Sequence, residues 1–368
     1  MSVIDTIRPV TENFCFDGAL TDVCELTAGH INTTYKLTFT NGDTKNYYVL
    51  QKINTFVFKN PEGLMNNISL VTEYITNVMT ARGENPDGKV LHFIKTTDGA
   101  FLYTAPDGSA WRAYIFVDGA TAYNKIEDPR HFYEAGRGFG QFQRDLACFN
   151  AEQLVETIPN FHNTAARYRT FLESVAKDPV GRVAELSEEI AFVNARADMM
   201  SDIVNKLASG ELPLRVTHND TKLNNVLIDN ITNEALCIID LDTVMPGSSL
   251  YDFGDAIRYG ACTTAEDEPD TSKIGVDMEL FRQFTRGFVS ATEKDLTREE
   301  IMLFPLGVIV MTCELVVRFL TDYIDGDKYF KTAYPGHNLV RTRAQMKLLT
   351  EFEAHYDEMC DFIKEMLA

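Results

Sequence analysis

The stretch Val216-Thr-His-Asn-Asp-Thr-Lys-Leu-Asn-Asn-Val-Leu-Ile-Asp229, followed by Leu236-Cys-Ile-Ile-Asp240, is the most informative part of this chain. Short apolar runs bounded by turn residues predict strands on either side of a polar loop. The loop holds four polar residues at a fixed spacing: His218, Asp220, Lys222 and Asn225. Asp240 comes at the end of the next apolar run. We therefore interpret the segment as a functional loop between strands and not as a chance polar turn.

The residue types in this loop suit phosphoryl transfer to a hydroxyl group. Such a reaction needs an acceptor for the hydroxyl proton, a cation near the moving phosphoryl group and ligands for a metal ion. Asp220 is the candidate base and Lys222 the candidate cation. Asn225 and Asp240 offer oxygen ligands that suit Mg²⁺. Asp242 points to the same side as Asp240 if the chain is extended there, which makes it a further candidate metal ligand.

Composition narrows the class of protein. The chain has 368 residues, of which 45% are apolar, and a formal net charge of −20. This length predicts two lobes or domains, and the charge opposes binding to nucleic acid or to an anionic membrane surface. The seven cysteines are scattered, and no basic segment followed by an apolar run stands at the N-terminus. We expect a reduced, cytoplasmic protein that acts as a monomer on a small molecule.

Two parts of the chain differ in character. The first alternates as strands do around an Asn41-Gly42-Asp43 hairpin signal and carries one helical pattern over 63–79. Strand-like alternation covers 20–53, with runs at 25–39 and 47–53, and two further strand-like runs are 89–95 and 110–117. The second part is dominated by helical patterns, at 132–149, 165–175, 186–207, 280–289, 302–323 and 340–366. We predict an α+β, protein-kinase-like bilobal fold, with a small β-rich nucleotide-binding lobe at 1–117 and a larger, mainly helical lobe at 118–368.

Arg318 is a charged residue within the apolar helical pattern and follows Glu314 by one helical turn. It forms an intrahelical ion pair, or it lines a pocket and binds oxygen atoms of the substrate; the sequence leaves both open. Tyr259 and Tyr329 are ordinary half-buried aromatic residues by pattern alone. His30 suits a hairpin histidine equally well.

The chain resembles the aminoglycoside phosphotransferase/choline kinase superfamily in the polar loop and in Ile238-Ile-Asp-Leu-Asp242. Within that superfamily it is similar to the N-acetylhexosamine 1-kinases over longer strings, such as Gly29-His-Ile-Asn-Thr-Thr-Tyr35 and Tyr334-Pro-Gly-His-Asn-Leu-Val-Arg-Thr-Arg343. The resemblance extends over essentially the whole chain. It implies transfer of the γ-phosphate of ATP, bound with Mg²⁺, to the anomeric hydroxyl group of N-acetylglucosamine or N-acetylgalactosamine.

The resemblance also implies roles for individual residues. Asp220 matches the base and touches the acceptor sugar, and Asn225 and Asp240 match the metal ligands. The residues that match contacts to the sugar and its acetamido group are His30, Tyr259, Arg318 and Tyr329.

The nucleotide side departs from the wider superfamily. Gly29, Asn32 and Thr33 belong to a glycine-containing turn between strands whose backbone amides are candidates for contact with the phosphates. Gln51 stands where a kinase carries its phosphate-binding lysine, and we expect it to act as a neutral donor. Lys52 should point to the opposite face of the sheet.

Asp252-Phe-Gly254 spells the magnesium motif of protein kinases, but it stands at the start of a helical pattern over 250–260. We therefore assign the metal to Asp240 and expect Asp252 to cap that helix and brace the catalytic loop. His218 is expected to hold the same loop by hydrogen bonds.

Two other functions remain open on the sequence. One is a small-alcohol kinase of the choline or homoserine kinase type, against which stands Trp111 as the sole tryptophan of an acidic chain. The other is a pseudokinase that binds nucleotide without turnover. Gln51 favours that reading, and the intact set of Asp220, Asn225 and Asp240 opposes it.

Overall fold

The turn Gly42–Asp43 joins the two long strands β2 (Thr33–Asn41) and β3 (Thr44–Ile53), as the Asn-Gly-Asp sequence predicts. Gly42 has a φ of +59°, a left-handed conformation that glycine adopts without steric cost. The computed structural model describes residues 2–26 and 31–368. In it, β2 and β3 belong to an antiparallel five-stranded sheet with the order β1-β2-β3-β5-β4. The three further strands are β1 (Ala19–Leu26), β4 (Tyr103–Thr104) and β5 (Ala110–Ile115).

The two faces of this sheet carry different residues, because side chains alternate along each strand. One face packs on helix α1 (Val3–Thr11), and its core includes Leu37, Leu50 and Trp111. Gln51 and Arg112 are cross-strand partners in the β3–β5 register and belong to the opposite face. Helix α2 (Pro61–Ala81) provides Met65, whose sulfur lies 3.9 Å from Nη1 of Arg112. The predicted helix at 63–79 is confirmed, whereas α1 was not predicted.

The prediction of a strand at 89–95 is wrong. The segment makes one isolated bridge, between Phe93 and Tyr114, beside β5. The backbone N–H groups of Ile94 and Ile115 donate to carbonyl oxygens across that bridge, at 2.8 and 2.9 Å. The pairing therefore covers too few residues to form a ladder, although the apolar content of the segment suits a strand.

Contacts divide the chain into two compact units that are not continuous halves. Unit 1 comprises Met1–Thr121, Glu152–Pro159 and Leu227–Met245, and unit 2 comprises Ala122–Ala151, Asn160–Val226 and Pro246–Ala368. The segment with Asp240 therefore belongs to the unit that holds the five-stranded sheet, and the segment with Asp220 belongs to the other unit. A second sheet of order β6-β8-β9 consists of β6 (Ala120–Ala122), β8 (Val226–Asp229) and β9 (Ala235–Ile238).

Unit 2 is mainly helical. Two short strands, β7 (Arg215–Thr217) and β10 (Met245–Gly247), pair in a further two-stranded sheet. The helices are α3 (Pro129–Asp145), α4 (Thr164–Lys177), α5 (Ser187–Asn194), α6 (Asp202–Ser209), α7 (Ser249–Gly260), α8 (Met278–Thr292), α9 (Arg298–Met302), α10 (Phe304–Asp325), α11 (His337–Ala354) and α12 (Tyr356–Met366). The predicted α+β class, with a β-sheet N-terminal region and a helical C-terminal region, is confirmed.

Two of the predicted helices are each divided in the structure. The pattern at 186–207 corresponds to α5 and α6, and the pattern at 340–366 corresponds to α11 and α12. Val193, Met200 and Ile203 are all buried across the first break. Apolar spacing continues because both halves face the core, so periodicity alone does not reveal the interruption.

Helix α10 lies at the centre of unit 2 and packs against α4, α7 and α11. Its stretch Phe304–Ile324 has a mean hydropathy of 1.7, and among the described residues this helix alone is long and apolar enough to cross a membrane. Of that stretch, 83% is buried inside the structure, as in a core helix. Gly254 of α7 and Gly307 of α10 permit a close approach, since a Cβ on Gly254 would lie 2.4 Å from the carbonyl oxygen of Gly307.

Candidate active site

The polar loop after β7 is folded around the carboxylate of Asp252. This carboxylate accepts hydrogen bonds from the backbone N–H groups of His218 at 2.9 Å and Asn219 at 2.7 Å, and from the Gln143 side chain at 2.6 Å. Burial raises the pKa of Asp252. The charge of His218 and these hydrogen bonds lower the same pKa, but by less, so the pKa is above its usual value. The prediction that Asp252 braces the loop is confirmed. Its predicted capping role is wrong, because Ser248 is the N-cap of α7 and accepts from the N–H of Leu250.

The rest of the Asp252-Phe-Gly254 tripeptide serves packing. Phe253 is fully buried and stacks on Phe304 with ring centroids 4.2 Å apart. Gly254 gives α10 its close approach to α7. The tripeptide therefore has a structural explanation at each of its three positions.

The loop brings Asp220, Lys222 and Asn225 together. Lys222 Nζ lies 2.6 Å from Oδ1 of Asp220, and Asn225 Nδ2 donates to the Asp220 carbonyl oxygen at 2.7 Å and to its Oδ2 at 3.1 Å. His218 is fully buried, and its Nδ1 accepts the Asp220 N–H at 3.3 Å, which suits the predicted structural role. The side chains of Asp220 and Lys222 are 26% and 33% exposed to solvent, so the carboxylate is accessible.

Electrostatics keep this pair ionised. Burial raises the pKa of Asp220, but the charge and hydrogen bond of Lys222, with smaller contributions from His218 and Asn225, lower it by more. Burial likewise lowers the pKa of Lys222, and the charges of Asp220 and Asp255 raise it by more. The carboxylate is therefore charged at neutral pH and the ammonium beside it stays protonated.

Asn225 and Asp240 each offer an oxygen atom of a kind that magnesium binds. Both donor contacts of Asn225 use its amide nitrogen, and its amide oxygen has no hydrogen-bond partner among residues 2–26 and 31–368. Asp240 is exposed just after β9 and has a left-handed backbone with φ of +60°. An amide oxygen and an exposed carboxylate are ligand types that Mg²⁺ prefers.

Asp242 differs from the sequence interpretation in one respect. The premise of an extended chain after Asp240 is wrong, because Leu241–Thr243 is a short 3-10 turn that follows the left-handed Asp240. Asp242 is buried, with 4% exposure of its side chain. The structure therefore does not place the two carboxylates on one side by strand alternation.

Within unit 1, Asp242 is held by residues from the sheet. Its Oδ1 lies 2.5 Å from Nη1 of Arg112, and its Oδ2 accepts from Nδ2 of Asn32 at 2.6 Å. Gln51 accepts from Nε of Arg112 at 2.9 Å and donates to Oγ1 of Thr34 at 3.1 Å. The polar groups of Asn32 and Gln51, both predicted to bind nucleotide, are thus engaged with the chain itself.

Arg112 is the residue that the sequence interpretation missed. Its side chain is 3% exposed and forms an ion pair with Asp242, and the charge of Asp240 acts on it as well. The signal was present in the sequence, since Arg112 is the single charged residue in the apolar strand β5. The prediction for Lys52 is confirmed: its ammonium lies 5.7 Å from the Trp111 ring centroid, on the α1 face of the sheet.

The other predicted nucleotide residues are less informative. Thr33 is exposed and pairs with Lys52 in the β2–β3 register, whereas its neighbour Thr34 contacts Gln51. Gly29 and His30 lie outside the described residues, so the structure does not bear on their predicted contacts.

Among the predicted acceptor contacts, Arg318 and Tyr329 come together in unit 2. The Arg318 guanidinium lies 3.4 Å from Oε1 of Glu314 and is 11% exposed. Its carbon lies between 5.2 and 5.9 Å from the centroids of three aromatic rings, those of Phe161, Phe330 and Tyr329. Tyr329 is 53% exposed. Tyr259, half-buried on α7, makes no hydrogen bond or ring contact with these groups in the described part of the chain.

Comparison with known proteins agrees with this architecture. The chain aligns along 98% of its length with choline kinase from Cryptosporidium parvum (98% of that chain), with a TM-score of 0.58 and 11% identity. Aminoglycoside phosphotransferase from Alicyclobacillus acidocaldarius gives a TM-score of 0.61 at 14% identity over 95% of this chain and 94% of that one. Spectinomycin phosphotransferase, solved with ADP and spectinomycin, gives 0.56 at 14% identity over 97% and 99%.

At these identities the structural matches establish the fold alone, which is the aminoglycoside phosphotransferase and protein-kinase-like fold. The sequence profile of the phosphotransferase enzyme family matches residues 22–275, which include both the polar loop and the Asp240 segment. The chain therefore belongs to the APH phosphotransferase enzyme family.

Proposed function

We propose that this chain is a small-molecule kinase that transfers the γ-phosphate of Mg·ATP to the anomeric hydroxyl group of an N-acetylhexosamine, giving the sugar 1-phosphate. Family membership supports the phosphotransfer, and the longer sequence strings support the acceptor class. The ADP and AMP complexes of spectinomycin phosphotransferase support the use of an adenine nucleotide.

The observation that carries the acceptor class is the setting of Arg318. Among the residues that the structure describes, Glu314 is the one polar partner of this guanidinium. Its other N–H groups remain available to oxygen atoms of a ligand, and the partly exposed ring of Tyr329 lies beside them. A sugar with an acetamido group needs this combination of fixed donors and an aromatic wall.

Asp220 orients the acceptor hydroxyl group and takes its proton as the phosphoryl group transfers. Its lowered pKa makes it a weak base, which suits a reaction in which positioning and electrostatics supply most of the catalysis. An anomeric hydroxyl group is more acidic than that of an ordinary alcohol, so a weak base suffices. Lys222 remains protonated beside Asp220 and offsets negative charge at the reacting centre.

Asn225 and Asp240 are the residues that would hold the magnesium ion. When bound, Mg²⁺ neutralises charge on the nucleotide phosphates. In unit 1, Arg112 supplies a buried positive charge that Gln51 orients, in a chain whose net charge is otherwise strongly negative.

A choline-type acceptor suits this setting less well. The aromatic rings that would surround a quaternary ammonium group already face the guanidinium of Arg318. A second cation at the same rings would be repelled, because like charges at short range disfavour binding.

The test is phosphorus NMR of the protein with Mg·ATP and a panel of sugars and amino alcohols. We expect a product whose phosphorus is coupled to an anomeric proton, formed from N-acetylglucosamine or N-acetylgalactosamine. Phosphate on another hydroxyl group would support a small-alcohol kinase instead. ATP binding with no product from the whole panel would support a pseudokinase.

A variant sharpens the assignment of the acceptor. Arg318→Ala should raise KM for the N-acetylated sugar by at least about tenfold and leave KM for ATP nearly unchanged, since a lost charge-assisted contact is worth at least about 1.4 kcal/mol. Arg298→Ala is the matched control, because Arg298 is exposed and, within the described part of the chain, donates only to the Leu367 carbonyl oxygen. Equal KM values for Arg318→Ala and the control would remove Arg318 from the acceptor site.

A further inference from the structure

A buried series of contacts connects Arg318 with the backbone of the catalytic loop. Oε1 of Glu314 lies 3.4 Å from Nη1 of Arg318 and 3.0 Å from Nδ1 of His162. Nε2 of His162 lies 3.2 Å from the carbonyl oxygen of Asn219, the residue before Asp220. Glu314 is fully buried and the His162 side chain is 5% exposed. The series therefore runs through the interior of unit 2.

The contacted backbone has an unusual conformation. Asn219 has a φ of +64°, in the left-handed region that few residues other than glycine adopt. Its N–H donates to Asp252, and its carbonyl oxygen faces His162. The peptide group that leads into Asp220 is thus held from both sides, as a backbone in this conformation requires.

The two ring nitrogens of His162 face different parts of unit 2. One nitrogen faces a carboxylate oxygen of Glu314 and the other faces the Asn219 carbonyl oxygen, and both of these groups are acceptors. The ring is therefore held between the Glu314 side chain and the backbone of the catalytic loop. Tyr251 of α7 packs on the same ring at 5.3 Å between centroids, and Arg167 of α4 faces the Glu314 charge.

The carboxylate of Glu314 stays charged in this setting. Burial raises its pKa, but the charge and hydrogen bond of His162 and the charges of Arg318 and Arg167 hold it below the usual value. The second oxygen, Oε2, accepts from Oγ1 of Thr164 at 3.2 Å. Because Oε1 is shared by Arg318 and His162, a shift of either side chain moves the electrostatic partner of the other.

We infer that Glu314 and His162 are positioning residues that fix the acceptor-binding guanidinium of Arg318 relative to the catalytic carboxylate of Asp220. This inference rests on the proposed function, since it takes Arg318 as the acceptor contact. Its consequence is that acceptor recognition and the geometry of the catalytic loop are set by one shared carboxylate.

The first measurement needs no substrate. NMR of the full chain should show that Glu314→Gln changes the ring chemical shifts of His162, because the amide replaces the charged oxygen that faces Nδ1. The backbone amide shifts of Asn219 and Asp220 should change as well, since Nε2 of the same ring faces the Asn219 carbonyl oxygen. Unchanged amide shifts at Asn219 and Asp220 would overturn the inference, whether or not any acceptor has been identified.

The second measurement uses whichever acceptor the panel identifies. Glu314→Gln should lower kcat with that acceptor by about ten- to a hundredfold and leave KM for ATP within about twofold, because a small misplacement of reacting groups affects turnover most. Thr164→Val is the matched control, since it removes a hydrogen bond from the other oxygen of the same carboxylate. It should lower kcat by less than about threefold.

A double-variant cycle separates positioning from general damage. If Arg318 and His162 act through Glu314, the loss in kcat/KM for Arg318→Ala with His162→Gln should fall short of the product of the single losses by at least about threefold. Independent, multiplying losses would overturn the inference even if the chain proves to phosphorylate another acceptor. Failure of the whole panel would overturn the proposed function, and the NMR result would still decide whether Glu314 and His162 hold the loop. Far-ultraviolet circular dichroism and thermal unfolding identify any variant that fails to fold.

Discussion

Asp220 in unit 2 and Asp242 in unit 1 are both acidic residues beside a cation, yet their surroundings differ. Asp220 and its partner Lys222 each keep at least a quarter of their side-chain exposure, at 26% and 33%. Asp242 and Arg112 keep 4% and 3%, and the arginine is further fixed by Gln51. An accessible carboxylate with a flexible lysine is free to meet a substrate, whereas a buried carboxylate with a rigid guanidinium holds a segment of chain in place. Loss of Asp220 should therefore reduce turnover, whereas loss of the cation beside Asp242 should reduce the free energy of unfolding.

The largest effect is expected from Arg112→Met. The substitution leaves the Asp242 carboxylate buried without its cation, and removing one partner of a buried pair costs about 3–5 kcal/mol. Urea denaturation should show this loss in the free energy of unfolding. Adding Asp242→Asn should restore part of it, because the unpaired charge is then absent.

The control for this loss is Arg130→Met. Arg130 is 80% exposed and pairs with Asp128, and exposed pairs contribute at most about 1 kcal/mol. Equal losses for Arg112→Met and Arg130→Met would contradict the distinction between a buried structural pair and an exposed one.

The second prediction concerns turnover. Asp220→Asn should lower kcat by at least about a hundredfold, because the amide cannot accept the hydroxyl proton. The free energy of unfolding should change little, since the site is partly exposed. Asp295→Asn is the control, at an exposed acidic residue of the same unit. Near-normal turnover of Asp220→Asn would remove Asp220 from the role of base.

The third prediction tests the packing behind the catalytic loop. Gly254→Ala places a Cβ 2.4 Å from the carbonyl oxygen of Gly307, so α7 and α10 must separate. Overpacking costs about 1–3 kcal/mol, of which the better helix propensity of alanine offsets about 1 kcal/mol. Gly275→Ala, whose Cβ would come no closer than 3.6 Å to Thr263, should change thermal stability very little. A similar unfolding temperature for both variants would show that the helices are not in close contact.

The smallest effect is expected from Lys222→Met on stability. Breaking this partly exposed pair should change the free energy of unfolding by less than about 1 kcal/mol, in contrast to Arg112→Met. Thermal unfolding of the two variants side by side measures the difference. A loss for Lys222→Met as large as that for Arg112→Met would mean that the Asp220–Lys222 pair is itself structural.

Local sequence patterns were enough to predict the features that depend on neighbouring residues. Asn41-Gly42-Asp43 predicted the β2–β3 hairpin, and the spacing of the polar loop predicted that Asp220, Lys222 and Asn225 come together. Each of these depends on a turn, a repeat or a short loop, which the order of residues specifies directly.

The features that were missed depend on contacts between distant segments. Arg112 meets Gln51 only because β5 pairs with β3 in one register, and His162 meets Glu314 only because α10 passes behind the catalytic loop. The prediction that Asp242 points to the same side as Asp240 was wrong because the left-handed backbone of Asp240 ends the strand alternation. Residue type alone does not predict that conformation.

In this chain Gln51 stands in place of the usual kinase lysine, and Arg112 carries the positive charge beside it. This difference has a consequence for chemical proteomics. Acylating reagents that label kinases depend on a nucleophilic amine beside the nucleotide, and neither an amide nor a guanidinium reacts in this way at neutral pH. Lys52 is an amine, but it lies on the other face of the sheet beside Trp111. The amine that such a reagent would meet in this protein is that of Lys222 in the polar loop, whose side chain is 33% exposed, so labelling should fall there and not on β3.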